Sequence, residues 1–315
     1  MRFTPFDRAT WRPHLRAWCE QWLDAPPRRT LFEAGWQSAV VGIELRNGER
    51  VVVKVRRSAP RLHGCFAVQQ AVWRDGFPCP EPLVAPAALG HLVASAERYV
   101  DGGDIATVPD AGPFAALLAR LLHTTPPVVE APDLDPPPDW ARWDHSEARQ
   151  WPAPRHDEVD LNAHRDPPEF AAVVTRVRAR LAAEPGPDVV GHADFESQNV
   201  RWRGGAPHVV HDWDSLCIRA EAAFVGMAAA VFPADERGAW SASLAQTEAF
   251  LDAYTRARTP DHDRAWSAED DQVAWAAGMW TLCYNAKAAL MRGRDDLGLR
   301  RFVEESPERL RRAGA

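Results

Sequence analysis

A chain of 315 residues, 46% of them apolar, is long for a single compact core, and two lobes are expected rather than one. Its formal charge of −7 excludes the basic face that nucleic-acid binding requires, and no groove of lysine and arginine accompanies its 14 tryptophans, which therefore read as packing residues. No apolar run approaches membrane-spanning length.

Trp11, Leu15, Trp18 and Trp22 recur at helical spacing and predict a short amphipathic opening helix before Pro26 and Pro27. In LFEAGWQSAVVGIELRNGERVVVKV, two runs rich in Val and Ile flank Asn47-Gly48, a strong hairpin signal, which predicts antiparallel strands over 31–45 and 50–55. A helix over 67–73 follows, ended by Gly76 and by Pro78, Pro80 and Pro82, and then a strand pair near 91–100. Residues 1–100 thus read as a small β-rich lobe.

After DGGD at 101–104 the character changes. Phe114, Leu117, Leu118, Leu121 and Leu122 occupy one helical face. Residues 124–168 are rich in Pro, Asp and Trp with weak periodicity, which predicts a long irregular insertion or lid. Within it, Trp140, Trp143 and Trp151 are read as pinning the segment to the body, with pocket lining as the alternative. Helical periodicity resumes at Val173, Val174, Val177 and Leu181 and again at Leu244, Leu251 and Tyr254. Ser267 with Asp270 is a capping-box-like start for a further helix carrying Trp275, Met279 and Leu282 on one side. Residues 101–315 therefore form a mainly helical lobe.

The stretch GHADFESQNVRWRGGAPHVVHDWDS, residues 191–215, sets His192, Asp194, Asn199, Asp212 and Asp214 around a short apolar run. Carboxylates so crowded are costly unless a cation sits among them. The order has the logic of phosphoryl transfer: Asp194 accepts or orients a hydroxyl proton, while Asn199 and Asp212 hold Mg²⁺ on nucleotide oxygens. Residues 208–211 read as a strand that delivers Asp212, and Arg203, Gly204, Gly205 and Ala206 as the turn before it.

In these residues the chain resembles the aminoglycoside phosphotransferase and choline-kinase-like family. The resemblance implies an α+β, bilobal, protein-kinase-like fold with a nucleotide-binding lobe over 1–100 and a catalytic and substrate-binding lobe over 101–315. It aligns His192-Ala193-Asp194 and Asn199 with the brace-and-catalysis motif, and Asp212-Trp213-Asp214 with the metal-binding motif. His192 reads as a hydrogen-bonded brace beside Asp194, and Asp214 as either a loop acceptor or a second metal contact. The strand lysine that holds nucleotide phosphates resembles Lys54, the nucleotide-covering loop resembles 33–38 with Gly35 and Ser38, and ERYVDGG, with Glu97 and Tyr99, resembles the hinge.

Two departures stand out. No glutamate lies between Glu49 and Glu81 to pair with Lys54, which leaves Gln69, Gln70 or His63 to approach it, and Ala193 replaces a usual glycine. The implied activity is transfer of the γ-phosphate of ATP or GTP, with Mg²⁺, to a hydroxyl of a small antibiotic or metabolite, cationic ones included, with antibiotic resistance as the corresponding role. A protein acceptor is disfavoured because no activation-segment signature follows Asp212. The expected partners include neither nucleic acid nor membrane, and the expected state is a monomer or homodimer.

Alternatives are a nucleotide-binding, pseudokinase-like scaffold and a metal-dependent phosphohydrolase using His192, Asp194, His208, His211 and Asp212. The latter is opposed by the three-residue spacing of His208 and His211, which turns them to opposite faces of a strand. Asp261, Asp263, Glu269, Asp270 and Asp271 read as a solvated helix start rather than as a lure for a polycation. Five dispersed cysteines predict free thiols, and with an amino terminus lacking an apolar signal core they predict a cytoplasmic protein.

Overall fold

The computed structural model describes residues 7–35, 38–107, 109–138, 141, 148–152, 160–183, 186–234, 241–258, 264–291 and 297–315. The chain separates into two compact units: residues 1–102 with 132–135, and residues 103–131 with 136–315.

The first unit opens with helix α1 (Arg8–Trp22), capped by Asp7, whose Oδ1 accepts from the Ala9 amide at 2.9 Å. Its buried face is Trp11, Leu15, Trp18 and Cys19, while Trp22 is exposed, so the expected stripe stops one turn early. Beneath it lies an antiparallel sheet in the order β1-β2-β3-β5-β4, with β1 (Pro27–Ala34), β2 (Ala39–Leu45), β3 (Arg50–Arg56), β4 (Pro82–Leu89) and β5 (Leu92–Arg98).

The Asn47-Gly48 hairpin forms where expected, with Ile43 opposite Val51 and Gly48 at φ +90°. Residues 31–45 are not one strand. Gly35 has φ +107°, and a Cβ there would lie 2.1 Å from the Ser38 carbonyl oxygen, so the chain turns at a position that only glycine fits and continues as β2. The second hairpin also starts earlier than expected, at Pro82, and turns at Gly90 with φ +63°.

Strand alternation gives this sheet two chemically different faces. Val41, Ile43, Val51, Val53, Val55, Ala94 and Ala96 pack in the core that holds Trp11 and Trp18. Val52, Lys54, Ser95 and Glu97 alternate with them and share the other face. Helix α2 (Arg61–Arg74) begins six residues before the predicted 67, directly after Pro60, and buries Leu62, Cys65, Val68, Gln69 and Val72. Residues 132–135, expected in the insertion, join this unit: Arg61 Nε donates to the Leu134 carbonyl at 3.3 Å, and Leu134 is buried.

The second unit contains α3 (Ala111–Thr124), α4 (Pro168–Ala183), α5 (Glu221–Val231), α6 (Leu244–Ala257), α7 (Ala268–Met291) and α8 (Leu297–Arg312). Two small antiparallel pairs accompany them, β6 (Asp188–His192) with β9 (Leu216–Ala220), and β7 (Val200–Arg203) with β8 (Ala206–Val210). The predicted stripe of α3 is buried throughout. Ser267 and Asp270 cap α7 reciprocally, amide to side chain, at 2.8 and 3.2 Å. Helix α7 is not one-sided as expected, because α4, α5 and α8 all pack on it and residues 273–280 are buried on every face.

Helices α5 and α7 cross with backbones in near contact. A Cβ on Gly226 would lie 1.9 Å from the Ala274 carbonyl oxygen, and one on Gly278 would lie 2.7 Å from that of Gly226. Gly226→Ala is therefore expected to destabilise the protein by about 3 kcal/mol, the upper range for overpacking. Thermal unfolding of the two proteins measures it, and an unchanged melting temperature would contradict the close crossing.

Among the described residues of the insertion the longest regular element is the single 3₁₀ turn Val128–Glu130. Trp151 is buried against Phe170, Trp280 and Tyr284, and its Nε1 donates to Asp166 Oδ2 at 2.9 Å. Lys287 Nζ on α7 donates to Asp166 Oδ1 at 2.5 Å and to the His164 carbonyl at 2.8 Å. Trp151 thus pins the segment, while Trp140 and Trp143 lie outside the described residues. All five cysteines are free and buried, and burial pushes the thiols of Cys19 and Cys79 up to about 12. No helix among the described residues is long and apolar enough to cross a membrane.

Candidate active site

The polar constellation belongs to the second unit and is assembled by the ends of short strands. Strand β6 stops at His192, which is buried. One ring nitrogen, Nε2, donates to the His211 carbonyl at 3.0 Å, and Nδ1 accepts from the Asp194 amide at 3.2 Å, so both are engaged with backbone. Gly191 before it is required by close approach, since a Cβ would meet the Phe224 ring at 2.7 Å. Ala193, in place of a usual glycine, is accommodated: it is buried and its amide donates to the Ser215 carbonyl at 2.9 Å.

Past Asp194 the chain makes a 3₁₀ turn, Ser197–Asn199, anchored by Ser197, whose amide and hydroxyl both donate to the Phe232 carbonyl at 3.0 and 2.8 Å. The turn brings Asn199 back to Asp194. Its Nδ2 donates to Asp194 Oδ2 at 2.9 Å and to the Asp194 carbonyl at 2.8 Å. This leaves the amide oxygen, Oδ1, as the hard donor suited to a divalent cation.

The β7–β8 hairpin turns at Gly204 and Gly205, both at positive φ, as their type of tight turn requires. Strand β8 then leads to Asp212. This aspartate occupies the left-handed region, φ 64° and ψ 48°, one of two non-glycine residues at positive φ among those described. Such a backbone is held only by its surroundings. Here Trp213, buried and bonded through Nε1 to the Val210 carbonyl at 2.9 Å, and Ser215, whose amide donates to the Asp212 carbonyl at 3.0 Å, supply the hold. The Ser215 hydroxyl also reaches Asp212 Oδ2 at 3.3 Å. Asp214 is half-buried on the 3₁₀ turn Trp213–Ser215 that follows.

The electrostatics are those of carboxyl groups buried and crowded together. Burial first, and the Asp212 charge second, push the Asp194 carboxyl up to about 7, against the opposing hydrogen bond from Asn199. Glu196, two residues on, is raised well above the usual carboxylate range by burial and then by Asp194 and Asp212. Among the described residues none of these three carboxylates has an ion-pair partner. Nor do any three His, Cys, Asp or Glu side chains among them form a ready metal-binding set.

A carboxyl whose folded pKa lies above its unfolded value near 3.8 binds its proton more tightly in the native state, so its contribution to stability is lost as pH rises towards 7. Asp194→Asn removes that repulsion. Without divalent cation at pH 8 the variant is expected to melt about 2–4 °C above the parent, a gain on the order of 1 kcal/mol, and the gap should narrow at pH 5, because the loss begins only above the unfolded value near 3.8. Calorimetric scans at both pH values check this, and an equal or lower melting temperature at pH 8 would refute it.

In the first unit, Lys54 and Glu97 come together, with Nζ and Oε2 3.6 Å apart and both side chains buried. This corrects the expectation that only Gln69, Gln70 or His63 can approach Lys54. The sheet register puts the glutamate within reach from β5, while His63 is exposed. Glu97, expected in a hinge, is the penultimate residue of β5. Tyr99 packs its ring against Phe32 and under the Arg50 guanidinium. Gly35 and Ser38 adjoin at the turn between β1 and β2.

Sequence reasoning missed Glu196, although it stands in plain sight between Asp194 and Asn199, and it missed the use made of Glu97 and Ser215. It also passed over one signal. Of the 37 lysines and arginines only two are lysines, Lys54 and Lys287. Both are buried and paired with a carboxylate. Of the helix-start acids, Glu269, Asp270 and Asp271 are engaged by Arg180, Arg264 and Trp266, and Asp261 and Asp263 lie outside the described residues.

A family profile described as phosphotransferase enzyme family matches residues 28–278. No curated protein matches the sequence significantly. Among solved structures, an amicoumacin kinase in complex with AMP-PNP, Ca²⁺ and Ami superposes with a TM-score of 0.62 at 12% identity, covering 91% of this chain and 89% of the other. A putative aminoglycoside phosphotransferase from Ralstonia eutropha gives 0.59 at 11% identity with 96% of both chains covered. A spectinomycin phosphotransferase in complex with ADP and spectinomycin gives 0.55 at 11% identity, covering 96% and 97%. At such identities the likeness is one of fold: an α+β, protein-kinase-like architecture with a sheet-rich amino-terminal part and a helical carboxy-terminal part.

Proposed function

Because the chain belongs to the phosphotransferase enzyme family, we propose that it moves the γ-phosphoryl group of ATP or GTP to a hydroxyl of a small antibiotic or metabolite. The observation that carries this reading is the Asn199-to-Asp194 hydrogen bond beside Asp212, which gathers a carboxylate for the acceptor and two oxygen ligands for a cation into one loop and the strand end after it. Asp194 orients the acceptor hydroxyl and takes its proton as the new oxygen–phosphorus bond forms and the bond to the nucleoside diphosphate breaks. A divalent cation, Mg²⁺ in our reading, supplies charge neutralisation on the phosphates.

Asn199 Oδ1 and Asp212 hold that cation, and Asp214 is either a further contact or an acceptor that steadies the loop. His192 is a positioning residue, because both of its nitrogens bind backbone. In the amino-terminal unit, Lys54 is the cation for the nucleotide phosphates, and the turn at Gly35 and Ser38 and the segment with Tyr99 are assigned to the nucleotide. Acceptors that carry amino groups are included among the candidates, because a cation beside these crowded carboxyls would favour their ionised forms.

Incubation with Mg²⁺ and labelled ATP or GTP, against a panel of aminoglycosides, nucleoside and macrolide antibiotics, choline-like amines and sugars, tests the assignment. A phosphorylated acceptor is the expected product. Failure of either nucleotide to bind in the presence of Mg²⁺ would overturn it.

A further inference from the structure

Helix α2 runs RLHGCFAVQQAVWR and contains no acidic residue, so it cannot supply the glutamate that kinases place on that helix opposite the strand lysine. The sheet supplies one instead. Lys54 lies opposite Ser95 and Val52 opposite Glu97, which makes Lys54 and Glu97 diagonal neighbours on one face of adjacent strands. Their charged atoms are 3.6 Å apart, and each side chain is only 8% exposed.

At the helix position facing them stands a neutral amide. Gln69 Nε2 donates to the same Glu97 oxygen at 3.2 Å and to the Pro80 carbonyl at 3.0 Å, which fixes the carboxylate from the helix side. In a chain that uses arginine almost everywhere for positive charge, a lysine kept here marks a place for a compact point charge rather than a planar fork.

We propose that Glu97 is the positioning residue that orients Lys54 for the nucleotide phosphates, in the role usually filled by a helix glutamate, with Gln69 as the donor that holds Glu97 in place. The proposal rests on the phosphotransferase reading of Lys54, and the test separates the two. Four proteins are compared: the parent, Lys54→Ala, Glu97→Gln, and the exchange Glu97→Gln with Gln69→Glu, which returns the carboxylate to the helix. Turnover of MgATP to ADP, MgATP affinity by calorimetry, and amine labelling of Lys54 read by peptide mass spectrometry are measured on each. Lys287 serves as the internal labelling control.

Lys54→Ala and Glu97→Gln should each lower turnover by about 100-fold, the scale of a misplaced catalytic contact. Loss of the carboxylate should also let Lys54 label about tenfold faster while Lys287 stays unchanged. The exchange should return turnover to within about fivefold of the parent and restore slow labelling. A purely structural role would lower the melting temperature of Glu97→Gln without moving either readout. If Lys54→Ala is inactive while Glu97→Gln matches the parent in turnover and labelling, the proposal is overturned and the phosphotransferase reading stands. If Lys54→Ala is fully active, the assignment of Lys54 itself fails and the proposal with it. Should Glu97→Gln not fold, Glu97→Asp keeps the charge but withdraws it by one methylene. A loss of about tenfold in its turnover supports the proposal, and parent-like turnover opposes it.

Discussion

Asp194→Ala is expected to lower turnover by about 10²- to 10⁴-fold while nucleotide affinity changes by no more than a few-fold. The asymmetry follows from what the side chain touches. Its carboxylate is assigned to the acceptor hydroxyl, and its tie to the cation ligands is only the hydrogen bond from Asn199. That amide keeps a second anchor on the Asp194 carbonyl at 2.8 Å, which alanine preserves, so the metal-binding side of the loop should survive the substitution. Single-turnover phosphorylation of a responsive acceptor together with a nucleotide titration measures both quantities. Turnover near the parent's would remove Asp194 from the chemistry, and a collapse of nucleotide affinity would mean that it belongs to the cation site.

Asp212→Ala should have the complementary phenotype: the Mg²⁺-dependent part of nucleotide binding disappears, and affinity falls to the level seen with a chelator present. Two effects are mixed in that variant, because alanine also has to adopt the left-handed backbone that aspartate tolerates better, at about 1 kcal/mol. Asp212→Asn separates them. Asparagine accepts that backbone and can keep the bond from Ser215, but it lacks the charge. Both variants should lose Mg²⁺-dependent binding in calorimetric titrations, with Asp212→Asn melting above Asp212→Ala. Retention of the Mg²⁺ dependence by Asp212→Asn would show that the charge is not what binds the cation.

Much of this was legible in the sequence because it depends on local rules. The Asn47-Gly48 turn, the buried stripe of α3 and the Ser267–Asp270 cap each follow from spacing within a few residues. The elements that escaped depend on distant partners. Helix α8 anchors itself partly through Arg309, which is buried and donates to the Ala242 carbonyl at 2.6 Å, so no apolar stripe announces it. Helix α5 is apolar all round because it is covered on every side, and a run without periodicity has no distinctive signature.

The same distinction governs the site. His192, Asp194, Asn199, Asp212 and Asp214 lie within 23 consecutive residues and could be read as one pattern. The partner of Lys54 could not, because a strand register joins residues 43 positions apart, and a search along the neighbouring helix looks in the wrong element.

In protein kinases the lysine and its glutamate sit on separate elements, and regulation works by swinging the helix in or out. Here both charges are carried by hydrogen-bonded strands, so they are brought together as soon as the sheet forms. Displacing α2 would cost Glu97 one amide donor but would not part the ions. The arrangement suits a catalyst that is permanently switched on, and any throttle on its output has to act through something other than that helix.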